Sequence, residues 1–234
     1  DVETFVSTLI HQSICDIDRY GKYLIFILDH DAFISHLRME GKYNIKQKDE
    51  PYDKHDHIIF HMTDGTDLRY NDTRKFGRMQ LVDKEYYREY PPLSRLGQEP
   101  MEATFDYIYP HIHQSHLPIK QLLLDQTIFT GIGNIYANEI CFRMGMDPRT
   151  RGDRLSKKRI LELIEVSSTI LKEAIAQGGT TIHSFDANGI HGLFQVTLSV
   201  HAQTTCSKCK GPIKKITIAG RGTYYCPHCQ KRRY

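Results

Sequence analysis

The sequence predicts an α+β protein in which strands come first, helices follow, and a small metal-stapled β-hairpin closes the chain. Three observations carry this. Short apolar runs punctuated by turn residues fill residues 23–70, apolar residues recur at helical spacing between 119 and 177, and the two pairs Cys206-Ser-Lys-Cys209 and Cys226-Pro-His-Cys229 face each other across sixteen residues. A chain of 234 residues with 40% hydrophobic content can bury more than one core. The expected division is a β-sandwich over 1–90, a linker over 91–117, a helical domain over 118–205 and a zinc finger over 206–234.

In order along the chain, Val2, Phe5, Val6, Leu9 and Ile10 mark an amphipathic helix that looks joined part-way through, so the expectation is that the chain lacks its start. Tyr23 to Leu28 and Ala32 to Leu37 read as antiparallel strands about a turn at Asp29-His-Asp31. His57 to Met62 and Asp67 to Tyr70 form a second pair, joined by Thr63-Asp-Gly-Thr66, whose Asp-Gly is a strong hairpin signal. Five of the nine prolines, Pro91, Pro92, Pro100, Pro110 and Pro118, mark the linker. Helices are expected over Ile119–Gln126 and Asn134–Arg143, the second capped by Asn134 after a Thr130-Gly-Ile-Gly133 turn. Free amides at such a helix start suit a phosphate. Ser156 to Gln177 predicts a long helix with an apolar stripe through Ile160, Leu163, Ile164, Leu171, Ala174 and Ile175, stopped by Gly178-Gly179. Thr180 to Gly192 reads as a polar loop long enough to cover a ligand.

At the C-terminus, Cys206, Cys209, Cys226 and Cys229 predict one structural Zn²⁺ in a closed tetrahedral thiolate shell. Ile213 to Ile218 is the first strand of the hairpin, and Ala219-Gly-Arg-Gly-Thr223 its turn, with Arg221 at the tip. From Cys206 to Tyr234 there are eight Lys or Arg and no Asp or Glu. Four thiolates and one zinc ion offset only about two of those charges, so a polyanion is the expected partner. Cys15 and Cys141 lie in apolar patterns and read as packed thiols, in keeping with a reducing cytoplasm. The longest apolar run is far too short for a bilayer, and no membrane partner is expected.

The N-terminal part carries polar outliers: Lys22, His36, Arg38, Lys54, His55, His57, Arg69, Arg74, Lys75 and Arg78. Taken singly, each reads as a solvated face. Arg74-Lys-Phe76-Gly77 stands apart, because an aromatic blade beside two cations is what insertion between base steps requires. Met39, in Leu37-Arg-Met-Glu-Gly41, offers a similar apolar wedge, while from these residues alone Met39 and Phe76 read equally well as ordinary core.

Together these stretches resemble the bacterial formamidopyrimidine-DNA glycosylases. The motifs are Gly21-Lys-Tyr-Leu, Ile34-Ser-His-Leu-Arg-Met-Glu-Gly-Lys-Tyr43, Asp72-Thr-Arg-Lys-Phe-Gly77, Leu123-Leu-Asp-Gln126, Gly131-Ile-Gly-Asn-Ile-Tyr136 and Ala219-Gly-Arg-Gly-Thr-Tyr-Tyr-Cys-Pro-His-Cys-Gln230, in the family's order and across nearly all of the chain. The resemblance implies a β-sandwich, a helix-two-turn-helix domain and a zinc finger, with bent duplex DNA between the halves. It implies excision of 8-oxoguanine and ring-opened purines by base flipping and Schiff-base chemistry, on a monomer that takes double-stranded DNA bearing an oxidised purine or an abasic site. It gives phosphate contacts to Lys22, His36, Asn134 and Arg221. Met39, Arg74 and Phe76 fill the gap left by the everted base, with Arg74 facing the orphaned cytosine. The family's nucleophile is an N-terminal proline amine and its proton shuttle a neighbouring glutamate; neither is found in this sequence, so no catalytic residue is assigned. The alternatives are an endonuclease VIII-like enzyme for oxidised pyrimidines, a non-catalytic damaged-DNA binder, and a zinc-ribbon interaction module. Three departures stand out: Tyr20 where the family usually has a second Arg, His183 where the loop often carries an Arg, and Val200-His-Ala-Gln203 in place of a Tyr-Gly-Arg-like segment.

Overall fold

The computed structural model describes residues 1–179 and 197–232, so the loop expected at 180–192, with His183, lies outside the described residues. Two compact units appear, one within Asp1–Ser94 and one beginning at Arg95.

The first unit is the expected sandwich. Helix α1 (Val2–Leu9) is N-capped by Asp1, whose carboxylate accepts the Glu3 and Thr4 N–H groups. Strands β1 (Ile14–Tyr20), β2 (Tyr23–Leu28), β3 (Ala32–His36) and β7 (Arg78–Val82) make an antiparallel sheet in the order β1-β2-β3-β7. Strands β4 (Lys42–Gln47), β5 (Asp56–His61) and β6 (Thr66–Asn71) make a second, ordered β4-β6-β5. Phe26, Leu28 and Phe33 of the first sheet meet Tyr43, Phe60 and Leu68 of the second, with Phe5 and Leu9 of α1 added. The rings of Phe26 and Phe33 stack at 4.5 Å and those of Phe33 and Phe60 at 5.6 Å. The expected β5–β6 hairpin forms, and Gly65 adopts the φ of +87° that its turn needs.

Two expectations fail here. Arg69 is not on a solvated face: it is 1% exposed, and its guanidinium bonds the Asp67 carboxylate at 3.0 Å and the carbonyls of Gln47, Glu50 and Pro51. A buried guanidinium with this many acceptors holds the β4–β5 connection in place. Cys15 is exposed rather than packed, because its strand β1 lies at the sheet edge.

The second unit is helical and ends in the hairpin. The segment 91–117, expected as a linker, instead contains helix α2 (Phe105–His113), whose Ile108 and Ile112 are fully buried. Pro110 sits inside this helix, which hid its periodicity. Helices α3 (Ile119–Leu124), α4 (Asn134–Arg143) and α5 (Lys157–Ala176) pack with α2 around Ile119, Leu123, Ile140, Leu163 and Ile170. Ser156 caps α5, and Gly178 and Gly179 end it at φ of +72° and +84°. Its buried stripe runs through Ile160, Leu163, Ser167, Ile170 and Ala174, whereas Ile175 is exposed. Strands β8 (Lys214–Ile218) and β9 (Arg221–Tyr225) form the C-terminal hairpin. No helix among the described residues is long and apolar enough to cross a membrane.

Candidate nucleic-acid interface and metal centre

In the first unit, the turn after β3 and the loop after β6 bring Met39, Arg74 and Phe76 together. Met39 is 65% exposed and Phe76 53%. The Arg74 guanidinium lies 4.7 Å from the centre of the Phe76 ring, and its Nη1 is 3.6 Å from the Met39 sulfur. Two apolar tips and one cation therefore form a single projection.

A buried hub holds it rigid. The Asp72 carboxylate accepts the N–H groups of Arg74, Phe76 and Gly77, each at 2.9 Å, and the Tyr70 hydroxyl at 3.0 Å. Burial pushes the Asp72 pKa up, but these donors outweigh it and leave the carboxyl below its ordinary value. Tyr70 lies against two glycines: a Cβ on Gly77 would come within 1.7 Å of its oxygen, and one on Gly41 within 2.4 Å. The Thr73 hydroxyl bonds the Glu40 carboxylate, so the Met39 turn and the Arg74–Phe76 loop are tied from both sides. Arg38 and Lys75 take φ of +57° and +56° within these turns.

Beside this projection, Lys22 occupies the turn between β1 and β2, and His36 ends β3 opposite Tyr23 and Arg78. The His36 ring packs edge-on to Tyr23 at 4.8 Å, and its Nδ1 accepts the Arg38 N–H at 3.0 Å. Burial, then the charges of Arg38 and Lys22, hold its pKa below the ordinary value.

In the second unit, Asn134 is not the cap of α4. Gly133 holds that position without a side-chain bond, and Asn134 begins the helix. Its amide Nδ2 instead donates to the Gly222 carbonyl at 3.1 Å, while its Oδ1 is buried with no partner among the described residues. Lys120 carries no local signal that marks it as a functional residue. It is 0% exposed, and its Nζ donates to Gly222 O at 3.0 Å and Thr223 Oγ1 at 2.6 Å. Burial pulls Lys120 down to about 8, with Arg221 adding to the effect and Cys141 opposing it. Helices α3 and α4 thus grip the start of β9. Ala219 and Gly220 alone form the hairpin turn, at φ of +48° and +71°. Arg221 is consequently the first residue of β9, paired with Ile218, rather than the tip itself, and it is exposed.

The four cysteines converge as expected. One sulfur from each lies within 4.8 Å of all the others, with Cys206–Cys229 at 3.8 Å and Cys209–Cys226 at 3.5 Å. Zn–S bonds of about 2.3 Å in a tetrahedron place sulfurs about 3.8 Å apart, so the set fits one zinc ion. Its chemistry fits too. Burial, followed by hydrogen bonding of the Cys229 thiol to the other cysteine sulfurs, pushes Cys229 up to about 12, and a divalent cation is what allows four thiolates to share so small a volume. The knuckles are fastened to the helical core: Phe142 and Val200 pack on Cys206 and Cys226, and the Gln230 side chain accepts Cys226 N–H and donates to Met146 O.

Comparison with known proteins agrees with this geometry. Residues 1–79 match the formamidopyrimidine-DNA glycosylase N-terminal domain, 96–186 the H2TH domain of the same enzymes, and 205–232 the zinc finger found in FPG and IleRS. The formamidopyrimidine-DNA glycosylase of Lactobacillus helveticus is 45% identical over 98% of this chain and 86% of its own length, and that of Bacillus subtilis 43% identical over 99% and 86%. This chain belongs to the formamidopyrimidine-DNA glycosylase family. A Lactococcus lactis variant of the enzyme in complex with Fapy-dG-containing DNA superposes with a TM-score of 0.93 at 36% identity, covering 98% of this chain and 86% of that one. The Lactococcus lactis enzyme with abasic-site DNA gives 0.92 at the same identity and coverage.

Two departures from the glycosylase pattern have local explanations. The Tyr20 ring lies under the Arg88 guanidinium at 5.2 Å, and Arg88 also bonds Asp18 at 2.8 Å, so a cation still occupies this surface. Val200-His201 is held from inside: the buried Glu139 carboxylate accepts the N–H groups of Ser199, Val200 and His201, and the Asn138 amide meets His201 Nδ1 at 2.6 Å. Burial, with the Lys120 charge second, drops His201 to about 4, so it remains neutral.

Proposed function

We propose that the chain recognises damaged duplex DNA as a base-excision repair glycosylase and AP lyase for oxidised purines. The observation that carries this is the Met39–Arg74–Phe76 projection. A flipped-out base leaves a gap in the stack, and two apolar tips flanking a guanidinium suit it: the tips replace lost stacking and the guanidinium offers donors to the unpaired partner base. Unstacking costs a few kcal/mol. A projection already fixed by Asp72 and Tyr70 adds little ordering entropy to that cost.

Lys22, His36, Asn134 and Arg221 are read as phosphate contacts that hold the bent backbone. Asn134 acts through its place at the start of α4 and through the hairpin it fixes, since its Nδ2 is engaged by Gly222. The zinc centre supplies no reaction step; Cys206, Cys209, Cys226 and Cys229 would hold it, and it keeps β8 and β9 in register so that Arg221 is presented. None of the residues in this sequence is assigned the nucleophile of excision. Oxidised purines are preferred over oxidised pyrimidines as substrates because the relatives that match nearly all of the chain are named for formamidopyrimidines. A bacterial cytoplasmic location and a monomeric state are consistent with reduced cysteines and a surface committed to DNA. Competition between an abasic duplex opposite cytosine and its intact counterpart tests the reading. Tighter binding of the abasic duplex is expected, and equal binding would overturn it.

A further inference from the structure

We propose that His36 meets DNA as a permanently neutral hydrogen-bond donor through Nε2, and so adds direction to the phosphate clamp without adding charge. This rests on the reading of His36 as a phosphate contact.

The geometry fixes the tautomer. Nδ1 accepts the Arg38 backbone N–H at 3.0 Å, so its lone pair is occupied and the ring proton resides on Nε2. Arg38 adopts φ of +57°, and the turn closes again at Gly41 N–H to Leu37 O, which keeps that N–H aimed at the ring. A second proton has only Nδ1 to occupy, where it would face the Arg38 hydrogen head-on.

The electrostatic setting opposes the same step. Lys22 lies in the β1–β2 turn, Arg38 follows His36 in the turn after β3, and Arg78 is the cross-strand partner of His36 on β7. Tyr23, its partner on β2, presents a ring edge. The Glu40 carboxylate, the acid nearest in sequence, is engaged by the Thr73 hydroxyl. Burial is the largest cause of the lowered pKa, the two cations come next, and only a backbone hydrogen bond of His36 pulls the other way.

The consequence distinguishes His36 from its neighbours. A cation that neutralises a phosphate releases a counterion and steepens the salt dependence by about 0.9 per contact. A neutral imidazole tightens binding with no change in that slope, and its contribution is the same at pH 6 and pH 8.

The test compares the intact chain with His36→Asn and Lys22→Ala, measuring binding to abasic duplex over a range of KCl at pH 6 and pH 8. Asparagine can place its carbonyl where Nδ1 lies, preserving the acceptor for Arg38 N–H while removing the outward donor. His36→Asn should weaken binding roughly 5- to 10-fold, equally at both pH values and with an unchanged slope, as for a neutral hydrogen bond. Lys22→Ala should lower the slope by about 0.9. A slope falling in His36→Asn as it does in Lys22→Ala, a loss confined to pH 6, or no loss at all would each overturn the proposal. Nitrogen NMR on the DNA-free protein gives an independent readout: Nδ1 must be unprotonated and Nε2 protonated at both pH values. A protonated Nδ1 overturns the proposal even if abasic binding is as expected, whereas loss of lesion preference in the unaltered chain counts against the functional reading and leaves this nitrogen result standing.

Discussion

Replacing Gly77 by alanine strikes the hub beneath the Met39–Arg74–Phe76 projection. The new methyl would lie 1.7 Å from the Tyr70 oxygen and 2.6 Å from its Cζ, so the whole phenol must move, not just its hydroxyl. Tyr70 is buried and packs against Tyr43 with ring centres 5.3 Å apart, which leaves little room to yield. Overpacking of this kind costs about 1–3 kcal/mol. Moving the hydroxyl also takes one donor from the buried Asp72 carboxylate, and a bond to a charge is worth about 1.5–3 kcal/mol. We expect Gly77→Ala to lose about 3–5 kcal/mol in urea unfolding. Tyr70→Phe alone should lose about 1.5–3 kcal/mol. The double variant should lose less than the sum, because the hydroxyl clash disappears and the same bond cannot be lost twice, although the ring carbon still collides. Strict additivity, or a Gly77→Ala loss under about 0.5 kcal/mol, would refute the hub.

Other outcomes follow from the second unit. Cys209→Ser should release the zinc, measured as metal per chain after gel filtration, and should unfold the β8–β9 hairpin while leaving the helical core intact. Arg221→Ala should weaken binding to all duplexes alike and lower the salt slope by about 0.9. Lys120 sets a pH dependence of defined sign. Its folded pKa of about 8 is below the ordinary lysine value of 10.5, so between those values the unfolded chain holds a proton that the folded chain has released. Stability therefore rises with pH through that window and is flat below it for this group. The difference in unfolding free energy between the unaltered chain and Lys120→Met should follow that rise, and a difference that is level from pH 8 to 10.5 would contradict it.

Much of this was legible in the sequence, and the misses share physical causes. The zinc set was readable because ligand spacing is set by coordination geometry. The Asp64-Gly65 hairpin and the Gly178-Gly179 stop were readable because their φ requirements select glycine. Strands β1, β4 and β7 carry weak signals; each is a sheet edge, where polar residues such as Asp16, Asp18, Lys42, Asn44 and Gln80 dilute the alternation. Helix α2 was hidden by Pro110, whose cost is absorbed by burying Ile108 and Ile112. At the site, the exposed Met39 and Phe76 could be singled out from their basic neighbours, but not the groups that hold them. Asp72 and Tyr70 act through four hydrogen bonds and two glycine contacts that only the folded chain reveals. Nothing in its local sequence marks Lys120, because its partners lie more than a hundred residues away in β9. Asn134 was read as a cap from local spacing, whereas its amide is claimed by Gly222.

If Met39, Arg74 and Phe76 fill the gap left by an everted base, Phe76→Ala must tell two duplexes apart. One duplex carries an abasic site opposite cytosine, the other is intact, and both are measured at the same salt. The phosphate contacts are common to both, while the ring is inserted only at the gap, where stacking is worth about 1–3 kcal/mol. Phe76→Ala should lose roughly 5- to 100-fold on the abasic duplex with the intact duplex nearly unchanged. Equal losses on the two duplexes would contradict it.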